Sequence, residues 1–398
     1  MPPAEHATGL VLSGGGARAA YQVGALRAIA KLLPRGNVQP FPVICGTSAG
    51  AINAALLGAN GDSFRRGVAR LVRWWRRIVV TDVYRGDLAT LARHALRLIG
   101  SLGGGGHGPR RAPTLLDNSP LASLLRSGID VGRVKQHIES GHLRALSINA
   151  TSYGTGHAVT FFEASEDVAE WRRARRRGER CRLAIEHLMA STAIPFVFPA
   201  ARVDSDFYMD GSVRQIAPLS PPLHLGARRI IVLAVGQFTG QSATGANPVV
   251  HRSHQPSLGQ IAGHALSSIF LDNLGADLER LYQINRLLHL EEASGGAQNA
   301  LAASNIDVFV LFPSRDLGAF ALHYADRLPR GVHYLLRGQG STQGTGANLL
   351  SYLLFDREFA RALMKLGHDD AMARRDELVG FLDGASPGYV PLFPRELN

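Results

Sequence analysis

Cys45 and Cys181 are the only two cysteines in 398 residues, so no disulfide framework can staple this chain. Neither lies in a Cys-x-x-Cys or Cys/His cluster of metal-ligand spacing. No ligand cluster therefore suggests a metal, and a reducing compartment is the simpler expectation. Lysine is almost missing, occurring only at Lys31, Lys135 and Lys365, so arginine carries the formal charge of +11. A basic surface attracts phosphate. There is no zinc-finger spacing and no RNA-recognition aromatic motif, so no nucleic-acid partner is expected. The opening residues MPPAEHATGL lack a basic n-region and an apolar h-region, so no signal peptide is expected. Between Arg35 and Asp62 there is no charge at all. Pro40, Pro42, Gly46, Gly50 and Asn53 interrupt that stretch, which excludes a membrane-spanning helix. The expected protein is cytoplasmic, either soluble or peripheral to a membrane.

With 45% hydrophobic and 19% charged residues, the chain can bury a sizeable core. Residues 8–13 read as a buried strand broken by Gly14-Gly15-Gly16, and residues 19–33 carry a helical apolar face that Pro34 and Gly36 stop. FPVIC (41–45) reads as a second strand, followed by a Gly-Thr-Ser-Ala-Gly turn and a helix from Ala51 to Leu57. Two strand–turn–helix units in sixty residues predict a parallel sheet flanked by helices, with ligands at the carboxyl ends of its strands. Residues 64–79 form the clearest amphipathic helix, with Phe64, Val68, Leu71, Trp75 and Ile78 on one face and Arg65, Arg66, Arg70, Arg73, Arg76 and Arg77 on the other. Such a helix either packs on the core or lies on an anionic membrane surface.

Further strands are expected at 143–150, 157–163, 207–210 and 228–236, and a helix near 182–191. The basic run 171–182 reads as a solvated face, and the prolines of 193–200 predict an extended segment. Residues 100–113, 240–256 and 338–348 read as loops, and 257–290 and 347–383 as mainly helical. The strand-like run 306–312 predicts that the C-terminal region returns to the same sheet. The expected organisation is a catalytic domain over 8–236 and a mostly helical region over 237–398.

Three turns hold the chemistry. In SGGGARAA, Gly14-x-Gly16-x-x-Ala19 fits a dinucleotide fingerprint, but that reading needs an acid at the end of the second strand. No Asp or Glu occurs between Glu5 and Asp62, and no Gly-Lys-Ser/Thr follows to make a phosphate-binding loop of the Walker kind. Three glycines ahead of a helix expose backbone N–H groups in the positive field of its N-terminus, which suits an oxyanion. Arg18 can add charge there. The second turn, Gly46-Thr47-Ser48-Ala49-Gly50, is a G-x-S-x-G elbow between strand and helix. A serine needs a neighbour to take its proton. His187, His224, His264, His289, His323, His333 and His368 have no distinguishing context. Asp210 follows a strand and precedes Gly211, which reads equally as an ordinary turn dipeptide.

Taken together, Gly14-Gly15-Gly16-Ala17-Arg18, Gly46-Thr47-Ser48-Ala49-Gly50 and Asp210-Gly211-Ser212 resemble the motifs of the patatin-like phospholipase family, in the family's order. The segment Ala190-Ser191-Thr192-Ala193-Ile194-Pro195 with Phe198-Pro199 is similar too, so the resemblance covers residues 8–235. It implies an α/β three-layer sandwich related to the α/β-hydrolases, a Ser48–Asp210 dyad without histidine, and an oxyanion hole at Gly14, Gly15 and Gly16 beside Arg18. It also implies a lipid substrate at a membrane or micelle surface, with neither cofactor nor metal. Two positions depart from the family pattern, Ala19 and Ser212, where glycine and glycine or alanine are usual. The residues leave two other classes open. One is a histidine-dependent triad esterase or acyltransferase. The other is a non-catalytic protein that binds anionic lipid through 64–79.

Overall fold

A computed structural model of the chain describes residues 7–34, 36, 39–86, 114–215, 217–236, 274–293, 306–329, 331–332 and 345–385. The chain opens with β1 (Ala7–Leu12), α1 (Ala20–Leu32), β2 (Val43–Thr47), α2 (Ala49–Gly58), α3 (Phe64–Trp75) and the short α4 (Val80–Val83). There follow α5 (Ser119–Gly128), α6 (Arg133–Glu139), β3 (Ala145–Ser152), β4 (Ala158–Ala164), β5 (Trp171–Arg173) and β6 (Arg176–Arg180). Next are α7 (Ile185–Ser191), β7 (Ala201–Val203), β8 (Asp206–Asp210), α8 (Ser220–His224) and β9 (Ala227–Leu233). The C-terminal region supplies α9 (Leu274–Ala293), β10 (Asp307–Leu311), α10 (Leu317–Leu322), α11 (Thr345–Leu353), α12 (Arg357–Ala373) and α13 (Arg375–Leu382).

The strands form one sheet in the order β10-β9-β1-β2-β3-β4-β6-β5, with β8 also paired to β3, and β7 to β8. From β10 to β3 all neighbours are parallel. Antiparallel pairing begins at β3, with β4 and β8. The sheet is thus mainly parallel at its centre, as expected, and mixed toward one edge.

Alternation along the strands builds two cores. Leu10, Leu12, Ile44, Ile231 and Leu233 face the layer that holds α1, α2, α3, α11 and α12. Val11, Val43, Cys45, Ile230 and Val232 face the other layer, which includes Leu274, Leu278 and Leu281 of α9. Every residue from Val43 to Asn60 is buried. The charge-free stretch is therefore a central strand and a central helix, with no water-facing side. Among the described residues no helix is long and apolar enough to cross a membrane.

β10 lies beside β9 in parallel register, Val310 opposite Val232, so the C-terminal region does return to the sheet. Four expectations are corrected. The basic run 171–182 is not a plain solvated face but the β5–β6 hairpin, with Trp171 packed over Gly178. Its arginines stand at the sheet edge, where charge blocks further strand pairing. Residues 193–200 are not extended throughout, because a turn over Pro195–Val197 holds Phe196 at φ 66 and exposes it. Helix α3 stops at Trp75, short of 79, and residues 345–348 belong to α11 and not to a loop. The expected loops at 100–113, 240–256 and 338–344 and the expected helix over 257–273 lie outside the described residues.

Candidate active site

The register of the sheet gathers the three turns at one place. Leu12 of β1 is opposite Gly46 of β2, so the Gly14–Gly16 loop and the elbow leave the sheet side by side. Thr47 is opposite Asn149 of β3, and the next β3 residue, Ala150, is opposite Asp210 of antiparallel β8. One strand therefore brings Asp210 to the serine that follows Thr47.

Ser48 sits at φ 53, ψ −129 as N-cap of α2, a strained positive-φ turn of the kind a nucleophile elbow requires. Gly46 packs against Ala51 of α2, and Gly50 against the carbonyls of Leu12 and Ser13, so neither leaves room for a side chain. Ser191 fixes the turn. Its hydroxyl accepts the Ser48 N–H at 2.8 Å and donates to the Asn149 carbonyl at 2.5 Å. The α2 N-terminus adds positive potential at the serine.

Asp210 is fully buried. Its Oδ1 accepts the Ser212 N–H at 2.8 Å, and its backbone is pinned by Ala193 and Thr151. Its Oδ2 has no well-formed hydrogen bond. The Ser48 hydroxyl is close enough to favour the ionised carboxylate without closing such a bond. Burial is the larger effect and pushes the carboxyl up to about 6, against the lowering pull of Ser48 and Ser212. Gly211 packs on the Asn149 carbonyl and the Thr47 methyl.

The glycine loop lies directly over this pair. A Cβ at Gly14 would strike Ser212 Oγ and crowd Ser48 Cβ. Gly16 adopts φ 53 against the Tyr352 carbonyl, a position that admits no side chain. Arg18 donates its own N–H to the Gly15 carbonyl at 3.0 Å. The N–H groups of Gly14, Gly15 and Gly16 have no protein acceptor among the described residues. Unpaired N–H donors on a loop whose Gly14 packs against Ser48 are the kind of group that can hold an oxyanion.

The Arg18 side chain is placed differently from the other motif residues. It is buried, donating from Nε to Ser351 Oγ at 2.7 Å and from Nη2 to Asn348 Oδ1 at 2.8 Å, with its guanidinium 4.3 Å from the Tyr352 ring centre. It therefore ties the glycine loop to α11 and does not point its charge at the serine. Ala19 is fully buried in the core.

A pocket of about 30 Å³ adjoins Ser48, no larger than a water or so. Ile52, Trp75, Ile194 and Phe198 form part of its apolar wall, and Leu353 and Phe355 complete it from the C-terminal region. Of the histidines considered, His187, His224, His323 and His368 bond elsewhere, none of them to Ser48 or Asp210. His264, His333 and the His289 side chain lie outside the described residues. Among the described residues no group of three or more His, Cys, Asp or Glu could hold a metal.

Sequence reasoning missed Ser191 as the lock on the elbow, although it lies in a segment already singled out. It also missed a buried relay. Trp75 Nε1 donates to Asn53 Oδ1 at 2.8 Å, Asn53 Nδ2 to Gln22 Oε1 at 3.0 Å, and Gln22 Nε2 to the Ser13 carbonyl at 2.9 Å. The visible signal was two uncharged amides inside otherwise apolar helical patterns. The wall from α11 had no signal, because it lies about 300 residues from Ser48 along the chain.

The model of the patatin-like phospholipase family matches residues 10–223. Among solved structures, the heterodimeric ExoU–SpcU complex from the type III secretion system of Pseudomonas aeruginosa is similar at 17% identity, covering 94% of this chain and 76% of that one, with a TM-score of 0.26. A superposition that loose carries no argument about chemistry. No curated protein matches.

Proposed function

The chain belongs to the patatin-like phospholipase family, whose members are lipid acyl hydrolases, and from that premise we propose that Ser48 and Asp210 form its catalytic dyad. The substrate is an ester of a phospholipid or another glycerolipid, met at a membrane or micelle surface, with anionic membrane as the peripheral contact. Ser48 Oγ attacks the acyl carbonyl carbon while Asp210 takes the hydroxyl proton. The N–H groups of Gly14–Gly16 hold the oxyanion of the tetrahedral intermediate. The ester C–O bond then breaks, Asp210 returns the proton to the departing alkoxide, and the acyl group remains on Ser48. Water attacks the acyl-enzyme, again giving a proton to Asp210. Collapse releases the fatty acid and restores the serine.

The observation that carries this reading is the pairing of a strained elbow serine with a buried carboxyl whose Oδ2 is left without a firm partner. A carboxyl held near 6 is ionised at neutral pH yet basic enough to accept a proton. The test is fatty-acid release by wild type and Ser48→Ala, with labelling by a fluorophosphonate probe. Ser48→Ala is expected to lose both, by a factor of about 10³ or more in rate. Full activity with retained labelling in that variant would refute the assignment.

A further inference from the structure

An open space lies beside the closed pocket. It is a groove of about 1020 Å³ between the second half of α3, the end of α5 and the segment entering α7. Arg70 and Arg73 of α3 line it, with Arg77 in the turn just after that helix, Arg126 of α5 and Arg182 ahead of α7. Their spacing of three residues puts Arg70 and Arg73 on one face of α3, and the turn after the helix brings Arg77 to the same groove. Asp82, Asp130 and Glu186 line it too, so five cations face three carboxylates, a balance of +2. Among the described residues only Arg126 of the five forms an ion pair, with Glu186 at 3.7 Å. Asp82 is engaged at the start of α4, where it accepts the Val79 N–H at 3.0 Å. Trp74 and Ile78 line both this groove and the Ser48 pocket, so the two spaces share a wall. Trp74 Nε1 is buried there with no acceptor.

Exposed guanidinium groups without carboxylate partners match the oxygens of a phosphate, which they can grip in bidentate fashion. We propose that this groove is a phosphate subsite, holding the head-group phosphate of a glycerolipid whose acyl ester reaches Ser48 across the Trp74–Ile78 wall. The proposal rests on the acyl-hydrolase reading above and narrows it. Lipids that carry a phosphate are cleaved in preference to uncharged acylglycerols.

The test uses the full chain with phosphatidylglycerol and diacylglycerol of the same acyl chains in the same neutral micelles. The readout is the ratio of the two kcat/KM values. Replacing Arg70, Arg73 and Arg77 together by Gln is expected to lower that ratio at least about tenfold. A matched variant with Arg27, Arg76 and Arg361→Gln removes the same charge from a different basic groove, and keeps the ratio. An unmoved ratio in the first variant, or equal falls in both, would overturn the proposal. Inorganic phosphate separates the head group from the free ion. It is expected to inhibit phosphatidylglycerol cleavage in wild type and to lose potency in the first variant; undiminished potency would place the phosphate elsewhere. If fatty-acid release does not depend on Ser48, the hydrolase reading fails instead. The subsite is then judged by binding to neutral micelles that carry phosphatidylglycerol against the same micelles carrying diacylglycerol, and the first variant must weaken the binding to phosphatidylglycerol while the matched one must not.

Discussion

At the scale of single residues, the proposed base Asp210 would join chemistry to stability. Its folded-state pKa of about 6 lies above the ordinary 3.8, so the folded protein favours the protonated acid. That contribution is full below the unfolded value and is lost as pH rises through the folded one. Ionised Asp210 therefore costs up to about 3 kcal/mol at neutral pH, at 1.4 kcal/mol per unit. Asp210→Asn is expected to melt higher than wild type, with the difference growing between about pH 4 and 6 and level above. The same carboxylate must be ionised to act as base, so ester cleavage should rise with pH and level off above about 6 in wild type. The Asn variant should lose about 10²–10⁴ in rate together with that rise. Thermal melts and a pH–rate profile read both effects. A variant that melted lower and kept the profile would separate Asp210 from the proton transfer.

At the scale of elements, α11 decides how much room the serine has. Arg18 ties the glycine loop to Asn348 and Ser351, Gly16 abuts the Tyr352 carbonyl, and Leu353 and Phe355 close the pocket. Asn348, Ser351, Tyr352, Leu353 and Phe355 lie outside the family match, which ends at 223. Leu353→Ala is expected to enlarge the pocket and shift preference toward longer or bulkier acyl chains, at about 2–5 kcal/mol in stability. A chain-length series with p-nitrophenyl esters checks it, and an unchanged length profile would remove α11 from the specificity wall. The strands and the first helices were legible because period-2 and period-3.6 apolar patterns are local. The β5–β6 hairpin was not, because its arginines mask the alternation that marks a strand, and only pairing with β4 makes it one. The Pro195–Val197 turn was misread because proline fixes its own φ but not that of Phe196.

At the scale of the whole molecule, α12 of the C-terminal region is held against α1 by a close helix crossing. Gly24 of α1 faces the Met364 carbonyl of α12, and Gly367 of α12 faces the Tyr21 carbonyl of α1. The Tyr21 hydroxyl also meets Asp370 and the Phe312 carbonyl. Gly367→Val would force the two backbones apart. The expected result is a loss of several kcal/mol, about 3 or more, read as a lower Tm. Because α12 follows the wall of the pocket, acyl-chain discrimination should weaken with it. An unshifted Tm would show that the crossing has slack.

By itself the sequence determined the class of fold and the three turns, and its family resemblance pointed to the pair Ser48 and Asp210. Turn chemistry and apolar period are written within a few neighbours, and the family motifs keep their order along the chain. Only the tertiary structure decided that Arg18 faces α11, that Ser191 holds the elbow, and that the pocket is closed by residues about 300 positions away. Those outcomes depend on sheet register and helix crossing, which arise from the packing of distant segments and leave no mark in any one of them.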